Sequence, residues 1–221
     1  MEQKTAIILG ATGLTGSILL DKLIKDDRYR KIKIFSRSHV QQKDEKIEEY
    51  LIDLFELEKV GDLFTADEVY CCIGTTQKKT PDKETYRRID FGIPATAAKL
   101  SKRNKIGTFQ VISAMGADEK SRIFYNRVKG EMEGAVLERQ LSNTYILQPS
   151  LIGGQRNESR PFELIFKKIM SVADYLLIGK LKKYRSIHPE TIADAMIYLA
   201  NNEYKSGRIS SDEIKNIAER N

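Results

Sequence analysis

Tyr125 and Lys129 stand four residues apart in Tyr125-Asn-Arg-Val-Lys129. On a helix that spacing puts phenol and ammonium on one face, a turn apart. A tyrosine of ordinary pKa, about 10, exchanges protons poorly near neutrality. A neighbouring cation favours the phenolate and brings the exchange within reach. The same ammonium can hold a nicotinamide ribose, so one residue would tune the acid and place a hydride donor. The chain holds a second copy, Tyr29 with Lys33, and position separates the two. Tyr29 precedes a strand, near the strand N-termini. Tyr125 opens a helix after a strand, beside the carboxyl ends where open α/β sheets bind ligands.

The second constellation is Gly10-Ala-Thr12-Gly13-Leu14-Thr15-Gly16, directly after the apolar run Thr5–Leu9. A loop tightening into a helix presents unpaired backbone N–H groups and the positive dipole end to a pyrophosphate. Gly10 and Gly13 suit the turn and close approach, and Gly16 suits helix–strand packing. Spaced glycines alone are weak evidence, but here a strand leads in and a helix leads out, as the motif requires. The NAD form of this site uses an acid after strand 2 for the ribose 2′-hydroxyl. Between Asp27 and Asp44 there is none, and the strand ends Phe35-Ser36-Arg37-Ser38. Arg37, with the Ser38 hydroxyl, suits a 2′-phosphate, so NADPH is expected over NADH.

Positioning these residues takes alternating elements, and the chain supplies them. Strands are expected at 5–9, around Ile32–Phe35, and at 50–53, 68–73, 108–113 and 144–148. Helical periods run over 14–25, 83–101 (with Pro94 kinking it or near its end), 121–139, 162–173 and 190–200. A short strand and helix close the chain. Runs apolar throughout are what a parallel sheet covered on both faces needs. The expectation is an α/β, Rossmann-type doubly wound parallel sheet. It forms one domain over 1–221, with residues about 150–185 and 203–221 contributing a small substrate lobe.

Composition narrows the classes. At 221 residues, 41% hydrophobic and 31% charged, the chain reads as one ordinary globular domain. No apolar run reaches membrane-spanning length, and no signal-peptide core follows Met1. The two cysteines, Cys71 and Cys72, are adjacent, which suits neither a disulfide framework nor paired zinc ligands. Two histidines, His39 and His188, do not suggest a metal site. No metal and a cytoplasmic location are expected. The net charge of +6 raises nucleic acid as a partner, yet it is a balance of opposed regions. Residues 38–70 hold three basic and ten acidic residues, whereas 160–185 hold seven basic and two acidic. That pattern argues against a nucleic-acid stripe and for an anionic cofactor and an anionic small-molecule substrate.

The motifs GATGLTG at 10–16, SRS at 36–38, CCIGTT at 71–76, SAMGAD at 113–118, YNRVKGE at 125–131 and QPSLIGG at 148–154, with Glu158-Ser-Arg-Pro161, resemble the atypical short-chain dehydrogenase/reductases. Within that branch the chain is similar to the oxidoreductases related to the human HIV Tat-interacting protein. The resemblance implies a Rossmann-type fold, NADPH and a Tyr125/Lys129 site. It implies pyrophosphate contacts from Thr12, Gly13, Leu14 and Thr15, and a 2′-phosphate site at Arg37 and Ser38. Asp53 and Leu54 would lie by the adenine, and Cys72, Ile73 and Gly74 by its ribose. Leu151 and Ile152 would flank the nicotinamide, and Arg156 would reach a cofactor phosphate or the substrate. Two departures stand out. The family's Ser/Thr pair after strand 5 is Ser113-Ala114, leaving Ser113 as the candidate active-site hydroxyl. The Arg-Pro-Gly after strand 6 is Gln148-Pro149-Ser150. Two functions follow: an NADPH-dependent reductase of a carbonyl or similar group, or a cofactor sensor that reports to a protein partner.

Overall fold

A computed structural model describes residues 3–153 and 185–220. Seven strands form one parallel sheet in the order β3-β2-β1-β4-β5-β6-β7. They are β1 (Lys4–Leu9), β2 (Tyr29–Ser36), β3 (Ile47–Leu51), β4 (Glu68–Cys71), β5 (Thr108–Ile112), β6 (Asn143–Gln148) and β7 (Gly207–Ser210). The winding reverses between β1 and β4, which opens a crevice at their carboxyl ends. Successive residues of β1 feed opposite faces: Ala6 and Ile8 enter one apolar core, Ile7 and Leu9 the other. The first core lies under helices α1 (Leu14–Ile24) and α5 (Pro189–Asn201), with Leu19, Leu23, Ile192 and Met196 buried in it. The second lies under α3 (Ile93–Arg103) and α4 (Phe124–Leu137), through Ala97, Leu100, Met132 and Val136. Helix α6 (Ser211–Ala218) packs on α5 and closes the chain.

Several expected boundaries move, among them the start of β2 to Tyr29 and the end of β4 to Cys71, and three moves have a local reason. The third strand ends at Leu51, because Asp53 accepts from the Phe55 amide and caps a 3-10 helix, Leu54–Val60. Helix α4 begins at Phe124, not Ser121. Side chains of Asp118 and Ser121 take the Lys120 and Ile123 amides into turns that compete with helix. The long helix expected from Lys83 divides into α2 (Lys83–Arg87), a π-helical turn over Arg88–Gly92, and α3. Backbone angles stay helical at Arg87, Gly92 and Ile93, so no sharp kink arises. Pro94 has no N–H to give to the carbonyl four residues back, and the widened turn lies where that bond is missing. Of the segments assigned to the substrate lobe, residues 207–218 form β7 and α6 at the sheet edge. The helix expected at 162–173 lies outside the described residues.

The opposite, N-terminal edge of the sheet carries a buried polar cluster. Lys4 Nζ lies 3.2 Å from Glu68 and donates to the Ala200 carbonyl (2.6 Å) and the Asn201 side chain (2.9 Å). Tyr70 donates to Glu68, the Tyr70 and Tyr29 hydroxyls are 3.0 Å apart, and Asn201 donates to Tyr29. Burial, with Glu68 nearby, pushes the Tyr29 phenol far above its ordinary range. Lys33 turns instead to the Leu63 carbonyl and the Thr65 hydroxyl. The second Tyr/Lys copy is thus two separate structural contacts.

Candidate functional site

The crevice at the switch point is a cleft of about 500 Å³. At one end β1 turns into α1 through Gly10, whose φ of +85° is a left-handed conformation that favours glycine. A Cβ on Gly16 would lie 2.1 Å from the Gly10 carbonyl oxygen, so loop and helix meet backbone to backbone. No side chain caps α1 at Gly13. Its first amides therefore open on the cleft beside Thr12, Gly13, Leu14, Thr15 and Ser17. Such a cradle suits the pyrophosphate of a dinucleotide.

Helix α4 brings Tyr125 and Lys129 to the other end. The start of this helix is held by Phe124, whose ring meets that of buried Tyr86 edge-on at 5.5 Å. Lys129 is buried, and its Nζ lies 2.9 Å from Asp90 Oδ1 and 3.4 Å from the Ile112 carbonyl oxygen. Asp90 comes from the π turn and is fully buried, and its Oδ2 accepts from the Thr75 amide at 2.8 Å. Oδ1 makes no hydrogen bond of good angle among the described residues, so its contact with Lys129 is an ion pair. Burial pulls the ammonium toward losing its proton, but Asp90, aided by Tyr125, overrides this and holds its pKa above the ordinary lysine value. Gly74 lies over the pair: a Cβ there would sit 3.6 Å from Asp90 Oδ1 and 3.7 Å from Lys129 Nζ.

Ser113 directly follows β5 and also lines the cleft. Its hydroxyl donates to Glu133, a fully buried carboxylate one turn beyond Lys129. Glu133 also accepts from Gln148 at 2.9 and 3.1 Å and from Arg208 at 2.6 Å. A serine has one proton to give. With it committed to Glu133, Ser113 presents lone pairs to the cleft and can accept there but not donate.

Of the residues singled out in the sequence, Thr12, Gly13, Leu14, Thr15, Cys72, Ile73, Gly74, Ser113, Tyr125, Lys129 and Ile152 line this one cleft. Gly10 and Gly16 support it from behind. Arg37 and Ser38 are exposed where β2 ends, and Asp53 and buried Leu54 follow β3. None of these four lines the cleft among the described residues. Leu151 is half exposed beside Ile152, and Arg156 lies outside the described residues. Ser17, Thr75, Thr76, Lys79, Asp90 and Ile112 line the cleft and were missed. Thr75 and Thr76 stood in the CCIGTT motif, but nothing in the sequence marked Asp90 as turned inward. Cys71 is buried, and burial pushes its thiol up to about 11. Among the described residues no group of three or more His, Cys, Asp or Glu could hold a metal, and no helix is long and apolar enough to cross a membrane.

Comparison with known proteins bears on the fold and the family. Protein HTATIP2 of Rattus norvegicus is 30% identical over 172 residues, 76% of this chain and 71% of the relative. The mitochondrial Protein FMP52 of Debaryomyces hansenii is 27% identical over 207 residues, 92% of this chain and 90% of the relative. Among solved structures, a UDP-N-acetylglucosamine 4-epimerase from Methanobrevibacter ruminantium M1, in complex with UDP-N-acetylmuramic acid, superposes with a TM-score of 0.70 at 17% identity. That superposition covers 95% of this chain and 77% of the epimerase. The Bordetella bronchiseptica enzyme WbmG in complex with NAD gives 0.69 at 11% identity, covering 98% and 77%. At these identities the two structures establish the fold. Residues 6–211 match the NAD dependent epimerase/dehydratase family. With its Rossmann sheet and switch-point cleft, the chain belongs to that family and is an NAD(P)-dependent enzyme of the oxidoreductase and epimerase kind.

Proposed function

We propose that the protein is an NADPH-dependent reductase of a carbonyl or similar group, with Tyr125 as proton donor and Lys129 as its partner. The observation that carries this reading is that the α1 amide cradle and the Tyr125/Lys129 pair line one cleft. The backbone approach at Gly16 and the uncapped α1 terminus fit a pyrophosphate. Arg37 and Ser38, at the end of β2, would hold the 2′-phosphate, and Lys129 the nicotinamide ribose. Bound there, the nicotinamide supplies the hydride. The chain does the rest. Tyr125 gives its proton to the developing alkoxide, and the nearby ammonium of Lys129 lowers the cost of the phenolate left behind. Ser113, its own proton engaged, accepts from a hydroxyl in the cleft. Lys79, a cation lining the same cleft, supports an anionic substrate. The nucleotide sugars bound by the structural neighbours belong in the screen for it. Calorimetry should give a smaller Kd for NADPH than for NADH. Turnover of a carbonyl found in that screen should fall at least about a hundredfold in Tyr125→Phe. Unchanged turnover in both Tyr125→Phe and Lys129→Ala would sink the mechanism.

The engagement of Ser113 by Glu133 favours a second reading, a cofactor-sensing protein with little turnover. It predicts a protein partner captured only with NADPH present, and captured equally by Tyr125→Phe. Capture indifferent to NADPH would dismiss it. A cytoplasmic location remains our proposal, and fractionation tests it against the mitochondrial placement in the FMP52 name.

A further inference from the structure

Asp90 is the only carboxylate lining the cleft among the described residues, and no part of it is exposed to solvent. Lys129 is nearly as secluded, with a side chain 5% exposed. An ammonium taken out of water without a counter-ion gives up its proton, because only the charged form loses hydration. The other ionisable groups facing Lys129 are Tyr125 on its own helix and Cys71 at the end of β4, and Tyr86 of α2 stands by Asp90. Glu133, one turn further along α4, is also a buried carboxylate, but it is engaged by Ser113, Gln148 and Arg208. Among the described residues Asp90 is therefore the carboxylate paired with Lys129, and it is itself fixed, Oδ2 by the Thr75 amide and its backbone by the π turn.

We infer that Asp90 is a positioning residue of this cleft: clamped by Thr75, its carboxylate holds Lys129 charged and in place beneath Gly74. The ammonium is then a permanent feature of the cleft rather than one that comes and goes with pH. The inference deepens the proposed function, and only its second test rests on that reading.

The first test needs no cofactor. In protein carrying ¹³C at the lysine ε-carbons, with Lys129→Met to assign the signal, Lys129 should titrate above the ordinary lysine range. In Asp90→Asn it should titrate at least about two units lower. A Lys129 signal that titrates alike in both proteins overturns the inference. The second test compares NADPH with adenosine 2′,5′-bisphosphate, which lacks the nicotinamide ribose. Asp90→Asn should weaken NADPH about tenfold or more while sparing the fragment. The loss should grow as pH rises and the lysine discharges. A merely structural role would weaken both ligands alike at every pH, and that result also overturns it. Failure of NADPH to bind the wild-type protein would instead sink the dinucleotide reading, leaving the first test to decide. Should Asp90→Asn not fold, folding restored by adding Lys129→Met supports the inference. Collapse of that pairless double variant shows a scaffold role and overturns it.

Discussion

Arg208→Ala should cost more than an exposed arginine normally does. Arg208 Nε lies 2.6 Å from Glu133 Oε2, with side chains 50% and 0% exposed respectively. Truncating one partner of a fully buried pair costs about 3–5 kcal/mol, because the other charge is left uncompensated. Here the surviving charge is Glu133, which keeps its bonds from Ser113 and Gln148. Removal of a half-exposed arginine also admits water. The loss should therefore fall below that range, at about 2–3 kcal/mol near neutrality. Urea unfolding of variant and wild type near neutrality measures the loss. A loss under about 1 kcal/mol would refute the idea that Arg208 compensates Glu133.

Arg37→Ala should weaken NADPH about tenfold and leave NADH alone, a modest effect because the arginine is exposed; calorimetry with both cofactors measures it, and equal losses would move the 2′-phosphate elsewhere. Gly16→Ala sets a methyl 2.1 Å from a carbonyl oxygen that cannot swing away. Its melting temperature should drop and NADPH binding should vanish, whereas wild-type affinity would show that the loop does not hold the pyrophosphate. Cys71, with its thiol near 11, should be ionised in only about one molecule in ten thousand at neutral pH. Iodoacetamide should label it at least about a hundredfold faster in urea than in the native state. Equal rates would mean that the end of β4 opens readily.

What the sequence made legible was local. The glycines, Arg37 and the Tyr125/Lys129 spacing each announce themselves within a few residues, and their elements follow from apolar runs and turns. Asp90 did not announce itself. It sits inside a helical stretch, and its inward turn depends on the π turn before Pro94 and on a lysine supplied by another helix. Glu133 gave no local sign of its role. What makes Glu133 matter is Arg208, 75 positions later on β7. Charge pairing between a helix and a distant strand has no period to read. The same holds for Ser113, whose place at the end of β5 was evident but whose proton is governed by that distant pair.

The polar cluster on the N-terminal edge of the sheet bears on how the chain comes to be folded. Lys4 is tied to Ala200 and Asn201 across separations of 196 and 197 residues. During synthesis Lys4 of β1 is made 196 residues ahead of the first acceptor on α5 that holds its ammonium. Until then Glu68 and the two tyrosines share a half-built network, and half-satisfied buried polar groups are costly. Contacts of such range are also slow to close. A nascent chain stopped short of residue 200 would hold the phosphate loop, Ser113, Tyr125 and Lys129 in full, and would still lack the contacts that tie β1 to the end of α5.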